Sequence, residues 1–253
     1  MEGMSLDGRT ALVTGGAGGI GRAICADLTA LGARVIVADL DEAGAAATAK
    51  ALSERAEPRT EPVSAQCVDL GDPGDIEALA ARVGPVDALV HNAGVSIVEP
   101  FVDSDPANWD LMWRINLRAP MLLTRALLPG MIERGWGRLI FISSDGARAG
   151  SGGEGAYAAT KSGLFGLAKT LAREAARAGV TSNVVCPGPT DTPMVRRVAE
   201  QHPDLLDKLA RQIPLRRIGA PHDIAGLVAF LCTERAAYIT GQTMSVSGGI
   251  TMQ

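Results

Sequence analysis

Leu12-Val13-Thr14-Gly15-Gly16-Ala17-Gly18-Gly19-Ile20-Gly21 is an apolar run that passes through a glycine-rich turn into a helix-forming stretch. Glycine at 15, 19 and 21 lets the backbone turn sharply and approach a pyrophosphate closely. The helix that follows offers its unpaired N–H groups to the phosphates. A glycine-rich turn is a weak signal alone, but here an acid closes the next apolar run. Asp39 stands 18 residues beyond Gly21. A carboxylate there accepts hydrogen bonds from both ribose hydroxyls of NAD and repels the extra phosphate of NADP. The next residues are Leu40, Asp41 and Glu42, and Gly18 supplies no cation, so NAD is the expected cofactor. The plainer role for Asp39, an N-cap for the next helix, is compatible with cofactor binding.

Working outward, short β-branched runs at 11–14, 34–39, 63–68, 88–91, 138–143, 181–186 and 243–247 alternate with Ala/Leu-rich segments. The segments, near 19–31, 42–56, 73–83, 107–134, 155–178, 193–211 and 221–234, have helical length. Alternation of this kind predicts an α/β Rossmann fold, a doubly wound, seven-stranded parallel sheet with helices on both faces. The Val-Ile-Val-Ala run of 35–38 is apolar throughout, as a strand covered on both sides must be. No linker or repeat divides the chain, so residues 1–253 are read as a single dinucleotide-binding and catalytic domain with a substrate lid at about 189–214. Pro73 and Pro221 sit where helices begin. Pro120 and Pro129 predict a kink in the 107–134 helix or its end near Leu128.

Composition removes other classes. The net charge is −4 and acids and bases are mixed, so no basic patch for nucleic acid is expected. Four cysteines (Cys25, Cys67, Cys186 and Cys232) lie dozens of residues apart, a spacing that fits no metal site, and none is expected. Residues 1–9 carry no apolar leader, and 18 consecutive apolar residues occur nowhere, so no membrane association is expected and cytoplasm is the expected compartment.

The chemistry is read from Tyr157-Ala-Ala-Thr-Lys161, a phenol and an amine four residues apart on one helix face. A free tyrosine has a pKa near 10. A nearby ammonium and an oxidised nicotinamide both favour the phenolate, which predicts a lowered value and a group able to take an alcohol proton. Ser144 ends the fifth run, 13 residues before Tyr157, where ligands gather in open α/β sheets. Its hydroxyl can bond the substrate oxygen. Asn92-Ala93-Gly94 ends the fourth run, Asn116 lies mid-helix, and Pro187-Gly188 follows the sixth.

Taken in order and spacing, Thr14 to Gly21, Asp39, Asp69, Asn92 to Gly94, Asn116, Ser144, Tyr157, Lys161 and Pro187-Gly188 resemble the short-chain dehydrogenase/reductase family across nearly the whole chain. The resemblance implies a catalytic set of Asn116, Ser144, Tyr157 and Lys161, with Asn116 holding a water in a proton relay with the lysine. It implies cofactor contacts from Gly15, Gly18, Gly19, Ile20, Gly21, Asp39, Leu40, Asp69, Leu70, Asn92, Ala93, Gly94, Tyr157, Lys161, Pro187, Gly188, Thr190 and Thr192, with a further backbone contact at Val185. Asp69 would meet adenine, Lys161 the nicotinamide ribose, and Thr192 the carboxamide. It also implies a homotetramer packed through 107–134, 155–178 and the last strand. His91, where the family often has asparagine, departs from the pattern and is read as a residue behind the site.

Ser144 to Arg148, Gly153-Glu154, Asn183 to Thr192 and Gly241 to Met252 are most similar to dehydrogenases of alicyclic 2-hydroxyacyl-CoA thioesters. The 3-oxoacyl-carrier-protein reductases share the frame. The expected reaction is hydride transfer between NAD(H) and a secondary alcohol or ketone, an alicyclic hydroxyacyl-CoA or another cyclic alcohol. The alternatives are reduction of a 3-oxoacyl thioester, or NAD binding without catalysis. Met194, Val195 and Leu205 supply apolar surface to the lid. Arg148, Arg196, Arg197, Arg216 and Arg217 are either solvated surface cations or partners for a CoA phosphate or a carboxylate.

Overall fold

The computed structural model describes residues 3–55, 63–193, 195–196, 200 and 204–252. Seven parallel strands form one sheet: β1 (Thr10–Thr14), β2 (Arg34–Asp39), β3 (Ser64–Cys67), β4 (Ala88–His91), β5 (Gly137–Ile142), β6 (Val180–Pro187) and β7 (Thr243–Val246). Their spatial order is β3-β2-β1-β4-β5-β6-β7. The chain builds outward from β1 to β3 and then crosses back to β4, which pairs with β1 through Thr14 and His91. That reversal opens a crevice at the C-terminal strand ends, where α/β sheets bind ligands.

Successive strand residues point to opposite faces, and the core divides accordingly. Val13, Val35, Val37 and Val90 pack beneath α1 (Gly19–Ala30) and α9 (Pro221–Leu231). Leu12, Ile36, Leu89 and Phe141 pack on the other face, against α3 (Pro73–Val83), α5 (Ala119–Arg134) and α7 (Gly155–Ala175). The remaining helices are α2 (Glu42–Arg55), α4 (Pro106–Trp113), the single turn α6 (Gly146–Ala149) and α8 (Leu205–Gln212).

The expected stop near Leu128 does not occur: α5 runs through Pro129 to Arg134 and ends on Gly135 in the left-handed conformation, φ 70°. The departure from α geometry lies upstream, at a π turn over Arg114–Arg118 that joins α4 to α5 and contains Asn116. Pro120 is the second residue of α5, directly after the π turn. The turn of α6 was not read from the sequence, because four residues carry no periodicity. Of the 193–211 segment, Met194, Arg197 to Ala199 and Gln201 to Pro203 lie outside the described residues.

At the N-terminal strand ends the sheet buries Arg138 of β5. Its guanidinium stacks on Trp136 at 4.2 Å, donates to the carbonyls of Gly137 (2.9 Å) and Gly179 (3.2 Å), and meets Glu234 at 3.5 Å. Arg9 covers the opposite side of the indole at 3.9 Å.

Candidate active site

A cleft of about 1110 Å³ runs along the C-terminal strand ends, from the glycine-rich turn and Asp39 to Ser144, Tyr157 and Lys161. At the first end, Thr14 knits two strands together. Its hydroxyl accepts the amides of Asn92 (3.1 Å) and Ala93 (3.2 Å), and Asn92 Nδ2 donates to the carbonyls of Thr14 (3.1 Å) and Gly15 (3.0 Å). Asn92 thereby fixes the shape of the turn with its side chain. Gly15 has φ +66°, and a Cβ there would come within 2.8 Å of the Ala93 backbone. A Cβ on Gly21 would overlap the Gly15 carbonyl oxygen. Gly21 accordingly packs α1 against the turn and is not among the residues lining the cleft.

Gly18, the N-cap of α1, brings no side chain to the first-turn amides, and a Cβ there would meet nothing within 4 Å. An open approach to unpaired amides is what a pyrophosphate needs. Asp39 is half-buried, with Oδ2 accepting Ala17 N at 2.9 Å and Oδ1 accepting Asp41 N at 3.1 Å. Capping falls instead to Asp41, whose Oδ1 accepts Gly44 N at 3.0 Å in the first turn of α2. Two carboxylate oxygens offer about four acceptor positions, so Asp39 keeps capacity for ribose hydroxyls. Leu40, Asp69 and Leu70 border the same end, and Asp69 Oδ1 accepts Gly71 N at 2.7 Å. Ile20 and Gly19 line the floor. Thr192 reaches over it, its Cγ2 standing 3.5 Å from a Cβ built on Gly19. These features fit a dinucleotide laid from Asp39 across the glycine-rich turn.

At the other end, Ser144 and Tyr157 line the cleft together, and Ser144 Oγ accepts Gly146 N at 3.1 Å. Lys161 is buried, with Nζ donating to Ile142 O at 2.9 Å and lying 6.0 Å from the Tyr157 ring centroid. Ser143 Oγ donates to Lys161 O at 2.9 Å and so secures α7 to the end of β5. Gly94 admits the lysine: a Cβ there would lie 2.9 Å from Nζ and 3.2 Å from Asn116 Oδ1. Asn116 is fully buried and does not line the cleft. Its amide clasps Val95, accepting its N–H and donating to its carbonyl, both at 2.9 Å, and donates to Thr160 at 3.2 Å. Pro187, Gly188 and Thr190 close the cleft, with Thr190 Oγ1 donating to Gly188 O at 2.9 Å.

The lowering expected for Tyr157 beside an ammonium and an oxidised nicotinamide is opposed by the protein's own burial of the phenol. Burial pushes Tyr157 up to about 12, the Glu154 carboxylate adds to the rise, and the Ser144 hydroxyl offsets part of it. Burial pulls Lys161 down to about 8. Desolvation outweighs the distant ammonium, so in this state the phenol holds its proton. His91 stacks on Phe141 and bonds Thr124 at 2.8 Å in the core, where burial holds it neutral with a pKa of about 3. The sequence assigns no role to Thr160, Ser143 or Glu154 individually. Their roles depend on contacts between α7, β5 and the π turn that no local pattern announces.

The profile described as enoyl-(acyl carrier protein) reductase matches residues 15–251. The chain belongs to the short-chain dehydrogenase/reductase family. Within that family it is 38% identical over 253 residues to the 3-oxoacyl-[acyl-carrier-protein] reductase of Escherichia coli, covering 98% of this chain and 100% of the relative. It is 37% identical to a 2,3-dihydroxy-2,3-dihydro-p-cumate dehydrogenase of Pseudomonas putida, over 98% and 96% of the two chains. A structure described as a putative NAD(P)-dependent gluconate 5-dehydrogenase from Beutenbergia cavernae, with NADP bound at low occupancy, superposes with a TM-score of 0.92. That match has 32% identity and covers 98% of each chain. As a short-chain dehydrogenase/reductase, the protein is an oxidoreductase with a nicotinamide cofactor and a small-molecule substrate. Among its described residues no helix is long and apolar enough to cross a membrane.

Proposed function

We propose that the protein interconverts a secondary alcohol and its ketone with NAD(H), using Tyr157 as the proton donor and acceptor. The observation that carries this reading is that Tyr157, Ser144 and Lys161 line the same cleft as the glycine-rich turn. When bound, the nicotinamide supplies the hydride acceptor or donor. Ser144 orients the substrate oxygen beside the phenol and stabilises partial negative charge on it. Tyr157 gives its proton to that oxygen in reduction or receives it in oxidation. Lys161 holds positive charge behind the phenol, and Asn116 positions the Val95 strand-end loop against Thr160 of the same helix.

The preference for NAD rests on Asp39 and on the lack of any lysine or arginine at positions 40 to 42. The Beutenbergia cavernae neighbour holds NADP, so paired kinetics with both cofactors test the point directly. Preference for NADP would overturn it.

For the substrate, a cyclic alcohol is favoured over an acyl-CoA thioester. Arg196 forms a two-point pair with Asp191 (2.7 and 2.8 Å), and Arg217 pairs with Asp223 at 2.6 Å. Arg216 donates to Arg211 O at 2.6 Å and Arg148 to Ser245 at 2.7 Å. Among the described residues lining the cleft, Lys161 is the one cation; Arg197 lies outside the described residues. The second reading, reduction of a 3-oxoacyl thioester, draws its support from the Escherichia coli relative. A panel of cyclic alcohols, hydroxyacyl-CoA esters and 3-oxoacyl thioesters, followed at the nicotinamide absorbance, separates them. Dominant thioester turnover would replace the first reading with the second. The reading also takes residues 1–253 as one cytoplasmic catalytic domain, residues 189–214 as its lid, and a homotetramer as its assembly, which sedimentation tests.

A further inference from the structure

Glu154 is the N-terminal neighbour of α7 and lines the cleft with Ser144, Ser151 and Tyr157. A point built beside Gly146 as a Cβ lies 3.0 Å from Glu154 Oε2, 3.3 Å from Ser144 Oγ and 3.4 Å from Ser151 Cβ. The carboxylate therefore faces the same small space as the hydroxyl that orients the substrate oxygen. Its side chain has no ion-pair or hydrogen-bond partner among the described residues, whereas Asp145 bonds Ser245. Across the cleft the Ser96 hydroxyl is buried and also unpartnered among the described residues.

We infer that Glu154 is a specificity residue whose carboxylate accepts a hydrogen bond from a hydroxyl on the carbon adjacent to the reacting one. The substrate class is then an uncharged vicinal diol or the matching α-hydroxy ketone. This rests on the alcohol–ketone reading above and narrows it. A carboxylate can only accept, so it attracts a hydroxyl and repels a carboxylate or a thioester carbonyl at that place. Among the described residues the cleft offers no arginine to reverse that sign. Ser96 can both donate and accept, which suits a further hydroxyl on the ring.

The test uses the full-length protein with NAD, comparing a vicinal cyclohexanediol with cyclohexanol. The intact protein should favour the diol in kcat/KM by about ten- to a hundredfold, the usual worth of a hydrogen bond to a charged group. In Glu154→Ala that ratio should fall toward one, and Glu154→Gln should fall between, since an amide oxygen still accepts. A purely structural role would lower both substrates together and leave the ratio unchanged, which would overturn the inference, as would a ratio near one in the intact protein. Turnover of cyclohexanol or of a 3-oxoacyl thioester without diol preference sinks this inference alone. Silence with every alcohol and ketone sinks the broader reading too. Saturation-transfer NMR of the diol on the intact protein and on Glu154→Ala gives a readout independent of turnover. Equal signals would count against Glu154.

Discussion

Two cations are buried at opposite ends of the sheet, and the protein treats them differently. Arg138, at the N-terminal strand ends, is surrounded by compensation: Trp136 on its face, two carbonyls and Glu234 on its edge. Lys161, at the C-terminal ends, is as deeply buried, yet among the described residues its hydrogen-bond partner is a single carbonyl, Ile142 O. Burial lowers the pKa of both, but only at Arg138 does a neighbouring carboxylate push it back. An ammonium kept in low dielectric without a counter-ion costs stability, and such costs gather at functional sites. The contrast marks one end of the sheet as built for folding and the other as built for chemistry.

The largest effect should come from the group that Lys161 stands behind. Tyr157→Phe should lower turnover by about a hundred- to ten-thousandfold with NAD affinity retained, measured by turnover and cofactor titration. Residual activity near that of the intact protein would break the comparison at its functional end. Lys161→Met should lose about a hundredfold in rate while the fold gains on the order of 1–3 kcal/mol, read by denaturant unfolding at pH 7. The sign follows from the shift: a lysine lowered to about 8 from 10.5 costs stability below pH 8. That cost fades as pH rises toward 10.5, so the stability gap between variant and intact protein should narrow across that window. A gap independent of pH would assign the difference to packing. Asp39→Ala should shift selectivity toward NADP by about tenfold or more, testing whether the nucleotide end is also tuned by an uncompensated charge. The smallest catalytic effect belongs to Arg138→Met. It should destabilise the fold by about 1–3 kcal/mol and leave kcat/KM within about twofold, since nothing it touches reaches the cleft.

The sheet was legible because both of its signals are local: apolar runs of strand length, and glycine where a close approach forbids a Cβ, as at Gly15 and Gly94. The glycine-rich turn and Asp39 announced the nucleotide end for the same reason. Tyr157 and Lys161 could be placed on one helix face from their spacing, but their protonation could not. Burial in the finished fold sets it, and for the phenol that burial opposes the lowering expected from the ammonium and the nicotinamide. Asn116 and Gly21 show the same limit. What local spacing could not show is that each also holds a wall of the cleft in place, Asn116 through Val95 and Gly21 through the Gly15 carbonyl. The pairing of Arg196 and Arg217 with acids five or six residues away was equally hidden, because a loop's fold decides it.

The π turn at Arg114–Arg118 accommodates one more residue than regular helical winding would. Without that surplus residue, α4 and α5 would fuse into a single uninterrupted rod. The faces on either side of the join would rotate by about a quarter turn relative to one another. Either Met112 would leave the interior or Asn116 would swing away from Val95. The length of this short stretch, more than the identity of most residues in it, is therefore what keeps both faces in place.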